Sequence, residues 1–307
     1  MNTSNSPSLA AEAVRARAEL GSAGLSASLL VRDLDRDLEV GVDPDDQLPL
    51  LSLAKLPIAL ATLERIRVGE LDGSAPVTVQ PGRHEVPGPQ GTSRFRHPAT
   101  VAIDDLVYLC LSVSDSQAAD ALLALTPPDQ VAEIAQRLGV PVIPIRHGLG
   151  ELSNTAVERL EEHRTGLGYA LAARSVDERN SSPLGWLDVT HATSSSARTF
   201  VDLLAAIWTD GSGIHPEVSS RLRALLAANV YRQRLAPEFD SDLTIWSSKT
   251  GTGLNLRHEV GVAEHHDGAR IAIAILSRSR VEAGVQPAAD ITLGRVARRL
   301  HDAVRRA

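Results

Sequence analysis

The sequence predicts an α/β lobe assembled from both ends of the chain, with an all-α lobe inserted between them and a cleft where the two meet. Short apolar runs typical of strands lie near both termini, whereas the middle of the chain repeats apolar residues at helical spacing. At 307 residues the chain can bury one core, or one core divided between two lobes.

The predicted helices share an apolar residue every three or four positions. In chain order they cover residues 8–20, 52–67, 103–112, 117–125, 129–138, 155–174, 196–209, 216–228 and 293–306. The predicted strands are Leu25–Asp33, Asp37–Val42, Leu243–Ser248, Val260–Glu264 and Arg270–Arg278, and the Gly- and Pro-rich residues 69–100 are expected to be mostly loop. We therefore expect residues 1–49 and 210–307 to form the α/β lobe, and residues 50–209 the helical lobe, with an extended loop region at about 147–190.

Composition argues against several classes of function. The apolar fraction of 43% and the charged fraction of 22% are ordinary for a globular protein in water. A net charge of −7 argues against a nucleic-acid surface, and no apolar run approaches the length of a membrane span. Because the first twenty residues lack the apolar stretch of a secretory signal, we expect a cytoplasmic protein if Met1 is the natural start, and a secreted one if the chain was trimmed.

Lysine is confined to two positions, Lys55 and Lys249, although lysine and arginine together number 31. Arginine cannot release its proton in a protein, whereas burial can tune a lysine amine until it acts as a base. Compositional drift explains the excess of arginine, but it does not explain where the two lysines remain. The single cysteine, Cys110, lies in the apolar run LVYLCLSV, which favours a packed thiol over a nucleophile.

Ser52 and Lys55 lie three residues apart at the start of a predicted helix. On a helix this spacing places both side chains on one face, so the amine can accept the hydroxyl proton and make Ser52 a nucleophile. Backbone N–H groups at the start of a helix also favour a developing oxyanion. The pattern alone is weak, but two lysines in the whole chain produce it by chance less often than usual.

Ser114-Asp115-Ser116 lies between two predicted helices. A hydroxyl there can relay a proton to a leaving group while Asp115 braces the loop through backbone N–H groups. An Asp-centred helix cap is the plainer reading when this motif stands alone.

Lys249-Thr250-Gly251 ends an apolar strand. A cation and a hydroxyl at a strand edge can hold a carboxylate, glycine permits close approach of a substrate, and the N–H of Thr252 can donate to an oxyanion. A hairpin turn with a surface lysine is the alternative, which the scarcity of lysine disfavours.

In this order, S-x-x-K, S-D-S and K-T-G resemble the signature S-x-x-K, S-D-N and K-T-G of class A β-lactamases and penicillin-binding proteins. The segment SVSDSQAADALLAL is similar to the class A helix that carries S-D-N, and HATSSSARTFVDLLAAIW resembles the Thr-rich start of another helix. The resemblance covers nearly the whole chain. It implies a β-lactamase/transpeptidase-like fold, in which an antiparallel sheet is flanked by terminal helices and carries an inserted helical lobe.

The resemblance also implies roles for individual residues. Ser52 would be the nucleophile, Lys55 the acylation base and Ser114 the proton relay, and the N–H groups of Ser52 and Thr252 would form the oxyanion hole. The residues that would contact substrate are Ser116, Lys249, Thr250, Gly251, Thr252 and Arg257, of which Arg257 matches the family's secondary carboxylate-binding arginine. We expect Lys249 to stay charged, so that it holds Ser114 and a substrate carboxylate.

Two departures from the family pattern affect function. Ser116 replaces an asparagine that touches the acylamido carbonyl of substrates, so preference is expected to shift away from acylamido-bearing rings. Class A enzymes also activate the deacylating water with a loop glutamate, followed four residues later by asparagine. Alignment from Arg146 puts Gly148 at that glutamate, whereas alignment on Glu151 and Asn154 matches the later part of the loop and leaves the base missing. Both Glu151 and Asn154 remain candidates for activating water.

We therefore expect a serine hydrolase that forms an acyl-enzyme at Ser52 on an ester, amide or β-lactam. Its β-lactamase activity is expected to be weak or altered. A β-lactamase-like esterase of specialised metabolism is the narrower expectation, since the similar esterase associated with clavulanic acid clusters also lacks the loop base. Two alternatives stay open: a true class A β-lactamase with Glu151 as deacylation base, and a non-catalytic sensor of β-lactams or peptidoglycan fragments that stays acylated. We expect a monomer with a carboxylate-bearing small-molecule substrate and with no nucleic-acid, membrane, metal or cofactor partner, since His265-His266-Asp267 predicts a turn and not a zinc site.

Overall fold

The computed structural model describes residues 7–36, 38–80, 90–150, 185–241, 243–281 and 285–307. Its α-helices are α1 Pro7–Ser22, α2 Lys55–Arg67, α3 Ile103–Leu111, α4 Ser116–Leu125, α5 Pro128–Arg137, α6 Ala197–Trp208, α7 Pro216–Ala227, α8 Ala236–Phe239 and α9 Pro287–Arg306. Its strands are β1 Leu25–Asp33, β2 Glu39–Val42, β3 Leu48–Pro49, β4 Pro76–Val79, β5 Ala99–Ala102, β6 Ser194–Ser195, β7 Thr244–Gly253, β8 Leu256–His265 and β9 Arg270–Ser279. Short 3₁₀ helices lie at Leu51–Ala54, Gly91–Arg94 and Gly185–Leu187.

The largest sheet has five antiparallel strands in the order β2-β1-β9-β8-β7. Successive side chains point to opposite faces, and both faces are covered. Leu29, Ile273 and Ile275 pack with the terminal helices α1 and α9, whereas Leu30 and Ala274 pack with the helical part of the chain. Burial on both faces explains the uninterrupted apolar run Ile271–Leu276 in β9 and the three consecutive apolar residues Leu29–Val31 in β1.

Helix α2 is the centre of the helical part. Its first ten residues, Lys55–Glu64, are all buried, and it packs against α3, α4, α5 and α7. A helix surrounded in this way has no solvent-facing stripe over its buried part, which explains why all six residues of Leu56–Ala61 are apolar. The first residue of this central helix is Lys55, so the packing of the core fixes the backbone of the candidate base.

Most of the predicted helices and strands are confirmed to within a few residues, and several expectations need correction. Strand β8 begins at Leu256 and not at Val260, because it pairs with the extended β7, and helix α9 begins at Pro287 and not at Leu293, since proline is tolerated in the first turn of a helix. Residues 69–100 contain β4 paired with β5 and the 3₁₀ helix Gly91–Arg94; two four-residue strands are easily concealed by the surrounding Gly and Pro. The strand expected to end at Ser248 continues to Gly253, because the K-T-G residues pair with β8. Ser52 lies in a 3₁₀ helix, and the α-helix begins only at Lys55.

The assignment of two lobes stays a prediction; α6, placed in the helical lobe, lies against strands β1 and β9. The helix candidate at 155–174 lies outside the described residues. Within the described ranges no helix is both long and apolar enough to cross a bilayer, and no group of three or more His, Cys, Asp or Glu side chains suits a metal ion. Burial raises the pKa of Cys110 to about 12, as expected of a packed thiol.

Candidate active site

Ser52 lies on a sharp turn between strand β3 and helix α2. The preceding residue, Leu51, has a φ of +52°, a left-handed conformation that costs free energy for a residue with a side chain. Two backbone hydrogen bonds hold the turn: the N–H of Leu50 donates to the carbonyl of Thr193 over 2.8 Å, and the N–H of Leu53 donates to the carbonyl of Leu50 over 3.1 Å. The turn leaves Ser52 half-buried beside the first N–H groups of the helix, which have no partner within a helix.

Lys55 is fully buried directly behind Ser52. Its Nζ lies 3.2 Å from Ser52 Oγ, 2.6 Å from the carbonyl oxygen of Ser114 and 3.1 Å from Ser116 Oγ. Burial lowers the pKa of Lys55 to about 8, so a fraction of the amine is neutral near neutral pH and can accept a proton. The structure thus brings Ser52, Lys55 and Ser116 together, and the role of Lys55 as the base stays a prediction.

Ser114 joins the two lysines. It lies in the loop between α3 and α4 with a φ of +64°, a second left-handed residue at this site. Its Oγ accepts a hydrogen bond from Lys249 Nζ over 2.8 Å and lies 3.4 Å from Lys55 Nζ. A hydroxyl can accept from one amine and donate onward through the same oxygen, so this side chain suits the predicted relay.

Lys249 is as deeply buried as Lys55, and its Nζ also donates to the carbonyl of Thr250 over 3.0 Å. Burial lowers the pKa of Lys249 well below its usual value, and the nearby charge of Lys55 lowers it further. Without an anion beside them, the two amines therefore disfavour being charged at the same time. The lowered pKa weakens the expectation that Lys249 stays charged in the protein without substrate. A bound substrate carboxylate would favour the charged amine.

Asp115 ties the loop of Ser114 to the 3₁₀ helix Gly91–Arg94. Its buried carboxylate accepts from the N–H and the hydroxyl of Thr92 over 2.5 and 2.6 Å, and from the hydroxyl of Ser93 over 2.9 Å. It also accepts from two N–H groups in the first turn of α4, over 2.9 and 3.3 Å. Both readings of this motif therefore apply, because Asp115 caps a helix and braces a loop at once.

Strand β7 brings Thr250, Gly251 and Thr252 past residues 50–53, the turn that carries the candidate nucleophile Ser52 (the nucleophile turn). A Cβ added at Gly251 would lie 2.9 Å from the carbonyl oxygen of Leu50, so only glycine lets the strand pass this close. Thr250 is buried and Thr252 is exposed. Strand β7 is also the last strand of the five-stranded sheet, so one of its edges has no neighbouring strand in that sheet.

Arg234, which no sequence motif marks, contacts this strand. Its buried guanidinium donates to Thr252 Oγ1 over 3.2 Å and forms an ion pair with Asp290 at 2.7 Å. Arg257 lies opposite Thr252 in the strand register, but its side chain is buried and its Nη1 donates to the carbonyl of Leu254 over 3.1 Å. The structure therefore places Arg234 in hydrogen-bond contact with Thr252, and the substrate-binding role of Arg257 stays a prediction.

The segment 146–150 is fixed by side chains at both sides. Asp120 accepts from the N–H groups of Leu149 and Gly150 over 2.5 and 2.7 Å, and Nη1 of Arg146 donates to three backbone carbonyls within residues 189–192. Gly148 lies within this segment. Glu151 and Asn154 follow it and lie outside the described residues, so their part in activating water stays a prediction.

The pKa of Lys55 predicts how acylation depends on pH. Because only the neutral amine accepts a proton, the acylation rate of Ser52 is expected to rise with pH and to level off above about 8. At pH 6 it should be roughly 100-fold below the plateau, since about 1% of an amine with this pKa is neutral there. Stopped-flow acylation with a chromogenic cephalosporin checks this, with Ser52→Ala as the blank for spontaneous hydrolysis. A profile that is flat from pH 6 to 9 would contradict a neutral Lys55 as the base.

Comparisons with known proteins identify the family and the fold of this chain. A model of the β-lactamase enzyme family matches residues 10–304. The β-lactamase regulatory protein BlaB of Streptomyces cacaoi is 50% identical over 299 residues, covering 94% of this chain and 96% of the relative. Among solved structures, PBP-A has a TM-score of 0.74 at 16% identity, covering 97% of each chain. A β-lactamase from Burkholderia phymatum has a TM-score of 0.74 at 17% identity, covering 97% of this chain and all of that one. The structural matches confirm the predicted fold, and the match of the family model over nearly the whole length shows that this chain belongs to the β-lactamase enzyme family.

Proposed function

We propose that this β-lactamase-like serine hydrolase becomes acylated at Ser52 by a carboxylate-bearing ester, amide or β-lactam and releases the acyl group slowly. One observation carries the acylation step: Lys55 Nζ lies 3.2 Å from Ser52 Oγ, in a buried setting that lowers the pKa of the amine to about 8. Ser52 Oγ attacks the carbonyl carbon while Lys55 takes its proton. Ser114, in contact with both lysines, then delivers a proton to the leaving group.

The position of strand β7 supports stabilisation of the oxyanion. The N–H groups of Ser52 and Thr252 belong to the two segments that pass within van der Waals contact at Gly251. Two donors held by separate, well-packed segments can bind the carbonyl oxygen as its negative charge develops. We infer that Lys249 and Thr250, next on the strand, bind the carboxylate of the same substrate.

Slow release of the acyl group is supported by the start of the loop region. Gly148 stands where alignment from Arg146 puts the family's glutamate, and a glycine cannot activate water. A true class A β-lactamase that uses Glu151 is the alternative, and it predicts fast turnover. Ser116 adds a second difference, since its hydroxyl contacts Lys55 but offers no amide to an acylamido carbonyl.

A second function is supported by the 50% identical relative, which is named as a β-lactamase regulatory protein. A protein that is acylated and stays acylated can report that a β-lactam is present, and we propose this sensor role as the alternative. Both functions require acylation of Ser52. They differ in the lifetime of the acyl-enzyme and in whether product accumulates beyond one equivalent.

Intact-mass spectrometry after mixing with benzylpenicillin or a cephalosporin tests the proposal. We expect one covalent adduct on Ser52 that decays slowly, with product exceeding one equivalent on long incubation. An adduct that does not decay supports the sensor, and turnover with no detectable adduct supports an efficient β-lactamase.

Two serine variants provide the controls for that experiment. Ser52→Ala should show neither adduct nor turnover, whereas Ser74→Ala, at an exposed serine, should behave as the unmodified protein. Hydrolysis that persists unchanged in Ser52→Ala would show that Ser52 is not the nucleophile. If neither drug reacts with the unmodified protein, activated esters that carry a carboxylate are the next substrates, and β-lactams are removed from the proposal.

A further inference from the structure

His258, which belongs to none of the three motifs, makes contacts that reach the nucleophile turn. It lies on strand β8 opposite Gly251 in the register and is fully buried. Its Nε2 is 2.9 Å from the carbonyl oxygen of Pro49, and its Nδ1 is 3.0 Å from the N–H of Ser277 on β9. One imidazole therefore connects two strands of the main sheet with the segment that leads into Ser52.

The hydrogen-bond partners define the form of this imidazole. The N–H of Ser277 can only donate, so Nδ1 must carry the lone pair and Nε2 must carry the hydrogen that is donated to Pro49. Burial lowers the pKa of His258 to about 3, and the charges of Arg234 and Arg278 act in the same direction. The ring is therefore neutral with one fixed tautomer throughout the pH range in which Lys55 titrates.

The ring also packs against the K-T-G strand. A Cβ at Gly251 would lie 3.3 Å from His258 Cδ2 on one side and 2.9 Å from the carbonyl oxygen of Leu50 on the other. Gly251 is thus enclosed between the imidazole and the nucleophile turn. The hydrogen bond from His258 reaches the carbonyl of Pro49, two residues before Leu51, whose left-handed backbone must be held by its surroundings.

We propose that His258 is a positioning residue for acylation, which rests on the proposed function of Ser52. Its bond to Pro49 sets the separation between the two N–H groups that would bind the oxyanion, one on the nucleophile turn and one on strand β7. Removing that bond allows the strained turn to relax away from the strand. A displacement of about 1 Å in such a site costs on the order of 100-fold in rate.

Two amide variants, each of which replaces one nitrogen of the imidazole, separate this role from simple packing. The amide nitrogen of His258→Gln can reach the place of Nε2 and donate to Pro49, whereas the amide oxygen of His258→Asn replaces only Nδ1. We expect His258→Gln to keep the rate of Ser52 modification within about threefold, and His258→Asn to lose at least about tenfold. His301→Asn, at another buried histidine, controls for the loss of an imidazole from the interior and should keep the rate.

The rate is measured with a fluorophosphonate probe: Ser52 Oγ bonds to phosphorus, the phosphorus–fluorine bond breaks to release fluoride, and the hydroxyl proton passes to Lys55. This probe needs an activated serine and an oxyanion site, but no β-lactam recognition. Melting temperatures are measured for each variant, and affinity for benzylpenicillin is measured in the Ser52→Ala background, where His258→Asn should leave it unchanged. Equal rate losses in His258→Asn and His258→Gln, or losses that follow melting temperature, would overturn the positioning role alone. If the unmodified protein does not react with the probe, the same variants are compared by the rate of their benzylpenicillin adduct, and failure with both reagents would overturn the proposed function as well.

Discussion

Replacing Lys55 with arginine is expected to lower the acylation rate of Ser52 by about 10²–10⁴-fold, the range that general-base catalysis supplies. A guanidinium keeps its proton at any pH at which the protein is folded, so it cannot take the proton of the Ser52 hydroxyl. The expected effect is on the rate of acylation measured at saturating substrate. Single-turnover mass spectrometry, with the fraction of acylated protein followed over time, gives that rate directly.

Two further variants make this result interpretable. Lys55→Met removes the base without introducing a permanent positive charge, and its acylation rate should fall to a similar extent. Lys249→Arg introduces the same guanidinium at the other buried lysine, and it should retain more activity, because holding a substrate carboxylate requires a charge and not a lone pair. Acylation that survives in both Lys55 variants would remove Lys55 as the base.

Replacing Asp115 with alanine is expected to lower the free energy of unfolding by about 3–5 kcal/mol, since several buried donors lose a charged acceptor at once. The donors belong to two segments, the first turn of α4 and the 3₁₀ helix Gly91–Arg94. Urea denaturation measures the loss. Hydrogen exchange should show faster exchange at the N–H of Thr92, which donates to this carboxylate.

Asp115→Asn provides the matched comparison. Its amide oxygen can still cap α4. Its NH₂ group, however, takes the place of a carboxylate oxygen that accepts hydrogen bonds, so it points at other donors. We therefore expect a smaller loss of stability, with faster exchange confined to residues 91–94. If Asp115→Ala unfolds at the same urea concentration as the unmodified protein, the carboxylate is not the brace that its contacts indicate.

The sequence predicts the fold well where one face or both faces of an element are buried. Strand β1 has the predicted limits of Leu25–Asp33, because its apolar residues, Leu25, Ala27 and Leu29–Val31, lie between turn residues at both ends. The pair β4 and β5 escaped prediction, because four-residue strands in a Gly- and Pro-rich segment produce too short a pattern. Strand β7 was predicted too short, since two glycines in its last three residues resemble a turn.

Within the candidate site, the sequence predicts the residues that act locally and misses those that depend on tertiary contacts. The spacing of Ser52 and Lys55 predicts their proximity. Nothing near Arg234 or His258 in the sequence distinguishes them from surface residues, because both are buried by strands that lie far along the chain. The lowered pKa of Lys249 is also not predicted from the sequence. It depends on burial and on the nearby amine of Lys55, and both follow from tertiary packing and not from spacing in the sequence.

The burial of both lysines has a consequence for protein chemistry. Since Lys55 and Lys249 are the whole lysine content and each has 0% exposure, the folded protein presents no lysine amine to reagents or to enzymes in solution. Acetylation, cross-linking by amine-reactive esters, or attachment of a protein tag to lysine must await local or global opening. The extent of lysine labelling is therefore a direct measure of how often the core around the two amines opens.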